Sequence, residues 1–113
     1  MQYTNLLESS SIGDMQLKNK IVMAPMGSNF ASEDGHASER LKAYYEERAK
    51  GGVGLIILET SAVSWPAGSS MPNMIGYSED SFIPDLQDLT SRVHQYGTKI
   101  AAQLNHSGKI SQE

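Results

Sequence analysis

The chain has 113 residues and no cysteine; 39% of its residues are hydrophobic and 19% charged. That is enough for one modest core in a single domain, and the balance argues against disorder. Without cysteine, the segment itself holds no disulfide, no thiolate nucleophile and no cysteine-ligated metal or iron–sulfur centre. The net charge of -4, from 13 acidic and 9 basic residues with no basic block, leaves no electrostatic footprint for nucleic acid or an anionic membrane.

The start, Met1 to Glu8, has neither the basic nor the apolar region of a signal peptide. The longest apolar run, Val53 to Leu58, is too short to cross a bilayer. A cytoplasmic location is the expectation. No repeat, low-complexity tract or linker divides the sequence, so residues 1–113 are read as one domain portion.

The first predicted element is a hairpin within residues 6–18, turning at Gly13-Asp14, where glycine supplies positive φ. Residues 19–113 then carry the first strands and helices. Ile21-Val22-Met23-Ala24 is an apolar run closed by Pro25, and unbroken runs of this kind suit a strand buried on both faces. Ser38 is the expected N-cap of a helix reaching Lys50, with Leu41, Tyr44, Tyr45 and Ala49 on one face and Glu46 spaced to pair with Lys50. Gly51-Gly52 stops it.

A second buried strand is expected over Val53–Leu58, followed by a long loop from Thr60 to Asp80. Phe82, Leu86, Leu89, Val93 and Tyr96 share the face of a second helix that ends at Gly97. Lys99 to Leu104 is a third strand. Alternating strands and helices imply a parallel α/β sheet, either doubly wound or an eightfold barrel. Periodicity does not choose between them.

In both architectures, function collects at the C-terminal ends of the strands. Here those ends carry Ala24 to Asn29, Glu59-Thr60-Ser61 and Gln103 to Lys109. Solvation of strand ends explains polar residues there equally well. A G-x-G-x-x-G fingerprint after a strand and a P-loop are both absent, and Gly52-Val53-Gly54 precedes its strand. His94 falls off the apolar helix face and reads as a solvated residue; His36, beside Gly35, is explained by turn chemistry. His106, two residues past the third strand, is the one catalytic candidate among the histidines. No metal-ligand spacing occurs. Asp85 and Asp88 suit the positive end of the second helix.

Three strings carry a resemblance. Leu17-Lys18-Asn19-Lys20-Ile21-Val22-Met23-Ala24-Pro25-Met26, the stretch Tyr44 to Glu59, and Gln103-Leu104-Asn105-His106-Ser107-Gly108-Lys109 resemble the N-terminal part of the Old Yellow Enzyme / NADH:flavin oxidoreductase family. The Ala49-Lys50-Gly51-Gly52-Val53-Gly54-Leu55-Ile56 form is most similar to its 2-enoate and 2,4-dienoyl-CoA reductases.

The resemblance implies an incomplete (β/α)8 TIM barrel: an N-terminal hairpin, then strand, helix, strand, helix, strand. It implies FMN, reduced by NADH or NADPH, passing hydride to an activated C=C bond of a small alkene. Pro25 and Met26 would offer backbone contacts at the flavin edge, Gly27 and Thr60 would stand near the ring, and Gln103 would hydrogen-bond its pyrimidine end. The carbonyl-activating and proton-donating residues would lie beyond Glu113, as would a 4Fe-4S cluster and FAD typical of the subgroup.

Three positions depart from the family pattern. Gly27 lacks the Thr or Cys side chain that tunes the flavin, Thr60 replaces Gly or Ala, and Lys109 replaces Arg. A full barrel takes about 250 residues, so the chain is expected to be an inactive fragment with an unpaired sheet edge at Ile100–Leu104 open to self-association. The alternatives are a non-catalytic remnant that self-associates or binds a partner, and a half-barrel holding FMN between copies.

Overall fold

Gly13, at φ +57, turns the chain so that Ser10–Ile12 (β1) pairs antiparallel with Met15–Leu17 (β2) in the register Ser10↔Leu17 and Ile12↔Met15. The structure is a computed structural model and describes residues 3–111; the outermost positions of the expected 1–113 unit lie outside them. The expected hairpin is present, but Leu6 and Leu7 belong to a helical turn, Thr4–Leu7 (α1), that precedes it.

Val22–Met23 (β3), Leu55–Ala62 (β4) and Lys99–Asn105 (β5) form a parallel sheet in the order β3-β4-β5. Glu39–Lys50 (α2) and Ile83–His94 (α3) supply the crossovers. Leu41, Tyr45 and Ala49 of α2 join Leu89 and Val93 of α3 over Ile56 and Leu58, all of them buried, to make the core. Both helices therefore cover one face of the sheet.

The other face is open among the described residues, which corrects the expectation for the first strand. Ile21 and Val22 are 37% and 45% exposed, and the strand is two residues long. An apolar run signals burial on both faces only where something packs on both. On β5, Ala102, Gln103 and Leu104 are likewise exposed.

Helix ends follow the sequence signals. The Ser38 hydroxyl accepts the Leu41 N–H at 3.1 Å, satisfying a first-turn donor. Gly52, at φ +109, carries the chain out of α2 where a side chain would be strained. Asp80–Phe82 forms a 3-10 turn leading into α3, and Gly97 closes the far end at φ +75. Glu46 does not pair with Lys50 as its spacing suggests; it turns to α3 and beyond, accepting from Gln95 at 2.8 Å and from the Tyr96 hydroxyl at 3.3 Å.

β4 runs four residues past the expected end at Leu58, and the long loop after it is shorter and better anchored than its composition suggests. Ala62 exchanges backbone bonds with Ile75 and Tyr77 at 2.8 and 2.9 Å, and Met74 and Ile75 are fully buried. Among the described residues no helix is long and apolar enough to cross a membrane.

Candidate functional site at the strand ends

The sheet delivers three backbone segments to one edge. β3 exits into Ala24–Asn29, β4 ends through Glu59–Ala62, and β5 ends through Gln103–Asn105. Thr60 lies opposite Gln103 in the ladder. The Gln103 side chain is exposed and makes no hydrogen bond among the described residues. Pro25 is half-buried, Met26 is 63% exposed, and Gly27 is exposed.

A bulge sets this arrangement. Between Ile57↔Ala101 and Thr60↔Gln103, β4 spends three steps where β5 spends two. The extra residue resets the strand's phase, so Leu58 and Glu59 are both buried while Ile57 and Thr60, three apart, are the half-buried pair. A regular strand alternates faces strictly; a bulge re-aims a side chain. Here the re-aimed group is Glu59.

Glu59 is fully buried. Its Oε1 accepts from the Ser28 hydroxyl at 2.6 Å and from the Tyr45 hydroxyl at 2.9 Å, and its Oε2 accepts from the Ser28 N–H at 3.3 Å. The Glu59 N–H donates to the Tyr45 oxygen at 3.2 Å, and the Ser61 hydroxyl donates to the Glu59 carbonyl at 2.8 Å. A buried carboxyl needs such partners to offset the loss of water. Burial, with the Glu59 carboxyl beside it, pushes the Tyr45 hydroxyl well above the ordinary tyrosine range. Burial also raises Tyr77, against the lowering effect of its bond with Ser61. Glu59 thus ties the turn after Met26-Gly27 to the back of the sheet. Its only sequence signal is a lone acid closing an apolar run.

The same turn is held from above. Asn29 sits at φ +60, a left-handed conformation that asparagine tolerates better than most residues, and its Oδ1 accepts the Asn73 N–H at 3.0 Å.

His106 lies just past β5 and is exposed; its Nδ1 accepts the Gly108 N–H at 3.0 Å, at the start of the 3-10 turn Gly108–Ile110. His94 is exposed, as expected. His36 does more than its turn requires: besides the Ser32 hydroxyl accepting its N–H at 3.2 Å, its Nδ1 lies 3.0 Å from Asp85 Oδ2. Asp85 also accepts from Lys42 at 2.8 Å, so it joins α2 to α3 as well as capping charge at a helix start. An open cleft of about 540 Å³ adjoins these residues and is lined by Ser32, Asp34, His36, Glu39, Lys42 and Asp85. Its charged groups are already bonded: Lys42 to Asp85 and to Asp88, Glu39 to Arg92, and Asp34 to the Ser32 hydroxyl. The strand ends, by contrast, leave Met26, Gly27 and Gln103 exposed.

Residues 5–113 match the model of the NADH:flavin oxidoreductase / NADH oxidase family. The NADH oxidase of Thermoanaerobacter brockii is 42% identical over 107 residues, covering 95% of this chain and 16% of that protein. A 2-naphthoyl-CoA reductase solved with 2-naphthoyl-CoA superposes with a TM-score of 0.93 at 28% identity, over 98% of this chain and 17% of that one. The old yellow enzyme of Trypanosoma cruzi gives a TM-score of 0.86 at 33% identity, over 96% of this chain and 29% of that one. The chain thus spans less than a third of each of these three proteins.

Proposed function

Because the chain belongs to the NADH:flavin oxidoreductase / NADH oxidase family, whose members include NADH oxidases and NADPH dehydrogenases, we propose that it supplies the first strands of an FMN-binding (β/α)8 barrel and part of the flavin face of an ene-reductase. The observation that carries this reading is the ladder pairing of Thr60 with Gln103 at the strand ends, next to the turn of half-buried Pro25 and exposed Met26 and Gly27.

These residues fit a flat ring with a hydrogen-bonding rim. The Gln103 amide both donates and accepts, as the pyrimidine end of a flavin requires. Met26 adds exposed apolar surface beside it. The backbone of Pro25 and Met26 borders the ring's edge, and the Thr60 N–H serves there even though its side chain is bulkier than the family's Gly or Ala. Bound FMN would supply the hydride step, from NADH or NADPH to the β-carbon of an alkene conjugated to a carbonyl. The chain's own task is to seat and orient the ring.

The groups that polarise the alkene's carbonyl and deliver its proton belong to later strands of the barrel, as does the phosphate site, which generally comes from the loops after strands 7 and 8. A 4Fe-4S cluster and FAD, where the whole protein has them, are held outside this chain, which has no cysteine. We place the protein in the cytoplasm and expect the 113 residues alone to seat the ring without turning over.

The test is a titration of the chain with FMN and with lumiflavin, the ring without its phosphate, followed by quenching of flavin fluorescence. Saturable quenching by both, weakened about 5- to 13-fold by Gln103→Ala through loss of hydrogen bonds worth about 1–1.5 kcal/mol, supports the reading. No quenching of either probe, together with concentration-dependent association, would favour a non-catalytic chain that pairs through β5. NADPH-dependent reduction of an enone by the chain alone would overturn its assignment as an incomplete site.

A further inference from the structure

Gly27 has no conformational need to be glycine, since its φ lies outside the left-handed region. What crowds a side chain there is the flexible end of a neighbour, which would have to swing aside. A Cβ built on Gly27 would lie 2.8 Å from Cε and 3.2 Å from Sδ of Met71, both inside van der Waals contact. Met71 is 44 residues away in sequence, in the loop that follows β4. Its thioether occupies the space that a residue-27 side chain would otherwise fill.

The segment just after Met71 is anchored: Met74 and Ile75 are fully buried, and the Asn73 N–H is bonded to Asn29, two residues past Gly27. Met71 is itself half-buried, while Gly27 and Met26 beneath it are exposed. The loop therefore buries the thioether of Met74 and leans that of Met71 onto the outermost turn of the strand-end edge.

We propose that Met71 is a ring-contacting residue of this site: its thioether takes the place of the missing side chain at position 27 and walls the edge of the flavin seat. This rests on the flavin reading above. A polarizable sulfur on an unbranched, adaptable side chain packs well against the edge of an aromatic ring system. Residues 27 and 71 then form a swap pair, in which a side chain at 27 displaces the thioether of Met71 from the place it fills.

The experiment uses the 113-residue chain and four variants: Gly27→Ala, Met71→Ala, the double variant, and Met71→Leu, which keeps the bulk and removes the sulfur. Thermal melting tests the pair without any ligand. Gly27→Ala is expected to lower Tm, and adding Met71→Ala to recover part of the loss. Lumiflavin titration tests the ring contact. Met71→Ala is expected to weaken binding about 2- to 10-fold, the range of a sulfur–aromatic contact, with Met71→Leu intermediate and the bound-ring absorption band shifted.

If Gly27→Ala does not fold, Met71→Ala and Met71→Leu still decide the contact. Lumiflavin bound equally well by wild type and Met71→Ala, with an unshifted band, overturns the proposal and leaves the flavin reading standing. No lumiflavin bound by wild type overturns both, and coupling in the melts would then mark Met71–Gly27 as a packing pair only. Additive melting losses would overturn the swap relationship itself.

Discussion

Tyr45 and Glu59 exchange two hydrogen bonds across the helix–sheet boundary: the Tyr45 hydroxyl donates to Glu59 Oε1 at 2.9 Å and accepts the Glu59 N–H at 3.2 Å. Both residues are fully buried. One hydroxyl thus satisfies a carboxyl oxygen and a backbone donor at the bulge. Tyr45→Phe keeps the ring and its packing but strips both bonds, leaving the Glu59 N–H unpaired in the interior. A loss of about 1–3 kcal/mol is expected, read as a lower midpoint in urea with an unchanged slope. An unchanged midpoint would mean that water reaches the site.

The alkaline side gives a second reading of the same contact. Burial, reinforced by Glu59, holds Tyr45 well above its usual range. Its folded value is therefore above its unfolded value, so the protonated form is the one that folding favours. Above pH ~10 the unfolded chain releases that proton first, and stability falls as pH rises from there. The Tyr45 share of the tyrosinate absorbance is expected to appear only at unfolding, beside that of Tyr77, which burial also raises. A smaller late step in Tyr45→Phe is the check.

How far these relationships can be read from the string depends on how local they are. Gly13-Asp14, Ser38, Gly51-Gly52 and Gly97 mark turns and helix ends through backbone conformation and capping, so their elements sit where the sequence places them. The bulge at Leu58–Glu59 depends on pairing with β5, about 40 residues on, and has no local mark. The exposure of Ile21 and Val22 depends on what packs against the second face, which an apolar run does not specify. At the candidate site, Thr60 and Gln103 are legible through motif resemblance, whereas the contact of Met71 with Gly27 is visible only once the loop is folded.

Charge links the two helices in a way that acid should undo. Lys42, with its side chain 8% exposed, donates to Asp85 at 2.8 Å and lies 3.0 Å from Asp88; His36 faces the other Asp85 oxygen. Burial opposes the Lys42 charge, but the two carboxylates outweigh it and raise its pKa. The bonds from Lys42 hold both aspartates below the usual carboxylate range. With folded values depressed, the unfolded chain takes up protons first as pH falls through ~3.9, so stability is present above that point and lost below it. Melting from pH 7 to pH 2.5 should show this acid limb. Lys42→Met is expected to lower Tm at pH 7 and flatten the limb; an equally steep limb in the variant would assign it to other carboxylates.

Gly54 shows why the strand's entry tolerates no side chain. A Cβ there would lie 2.5 Å from Asn19 Oδ1 and 2.7 Å from the Asn19 carbonyl. Asn19 is itself buried, donating to the Gly52 carbonyl at 2.7 Å and accepting the Ile21 N–H at 3.1 Å, so it clamps the start of β3 to the start of β4. Gly54→Ala must displace a backbone atom or break the clamp. A loss of about 1–3 kcal/mol is expected, in the range of overpacking a tight site. Asn19→Ala should lose about 1–2 kcal/mol through its two hydrogen bonds. Because both changes break one clamp, the double variant should cost less than the sum; strict additivity would show that the contacts are independent.

The open side of β5 sets the last expectation. Among the described residues the strand is paired only with β4, and Leu104 is 66% exposed beside exposed Ala102 and Gln103. An unpaired strand edge with apolar side chains is a template for a further strand. The isolated chain is therefore expected to associate as its concentration rises, at rates that fall when the edge is charged. Leu104→Lys places a cation on that strand, a device by which natural edges are protected, and touches no core residue. Sedimentation velocity across a hundredfold concentration range reads the outcome: association in the wild type with a monomeric Leu104→Lys assigns the contact to β5. Equal association in both would move it elsewhere, with the exposed face at Ile21 and Val22 next to be charged.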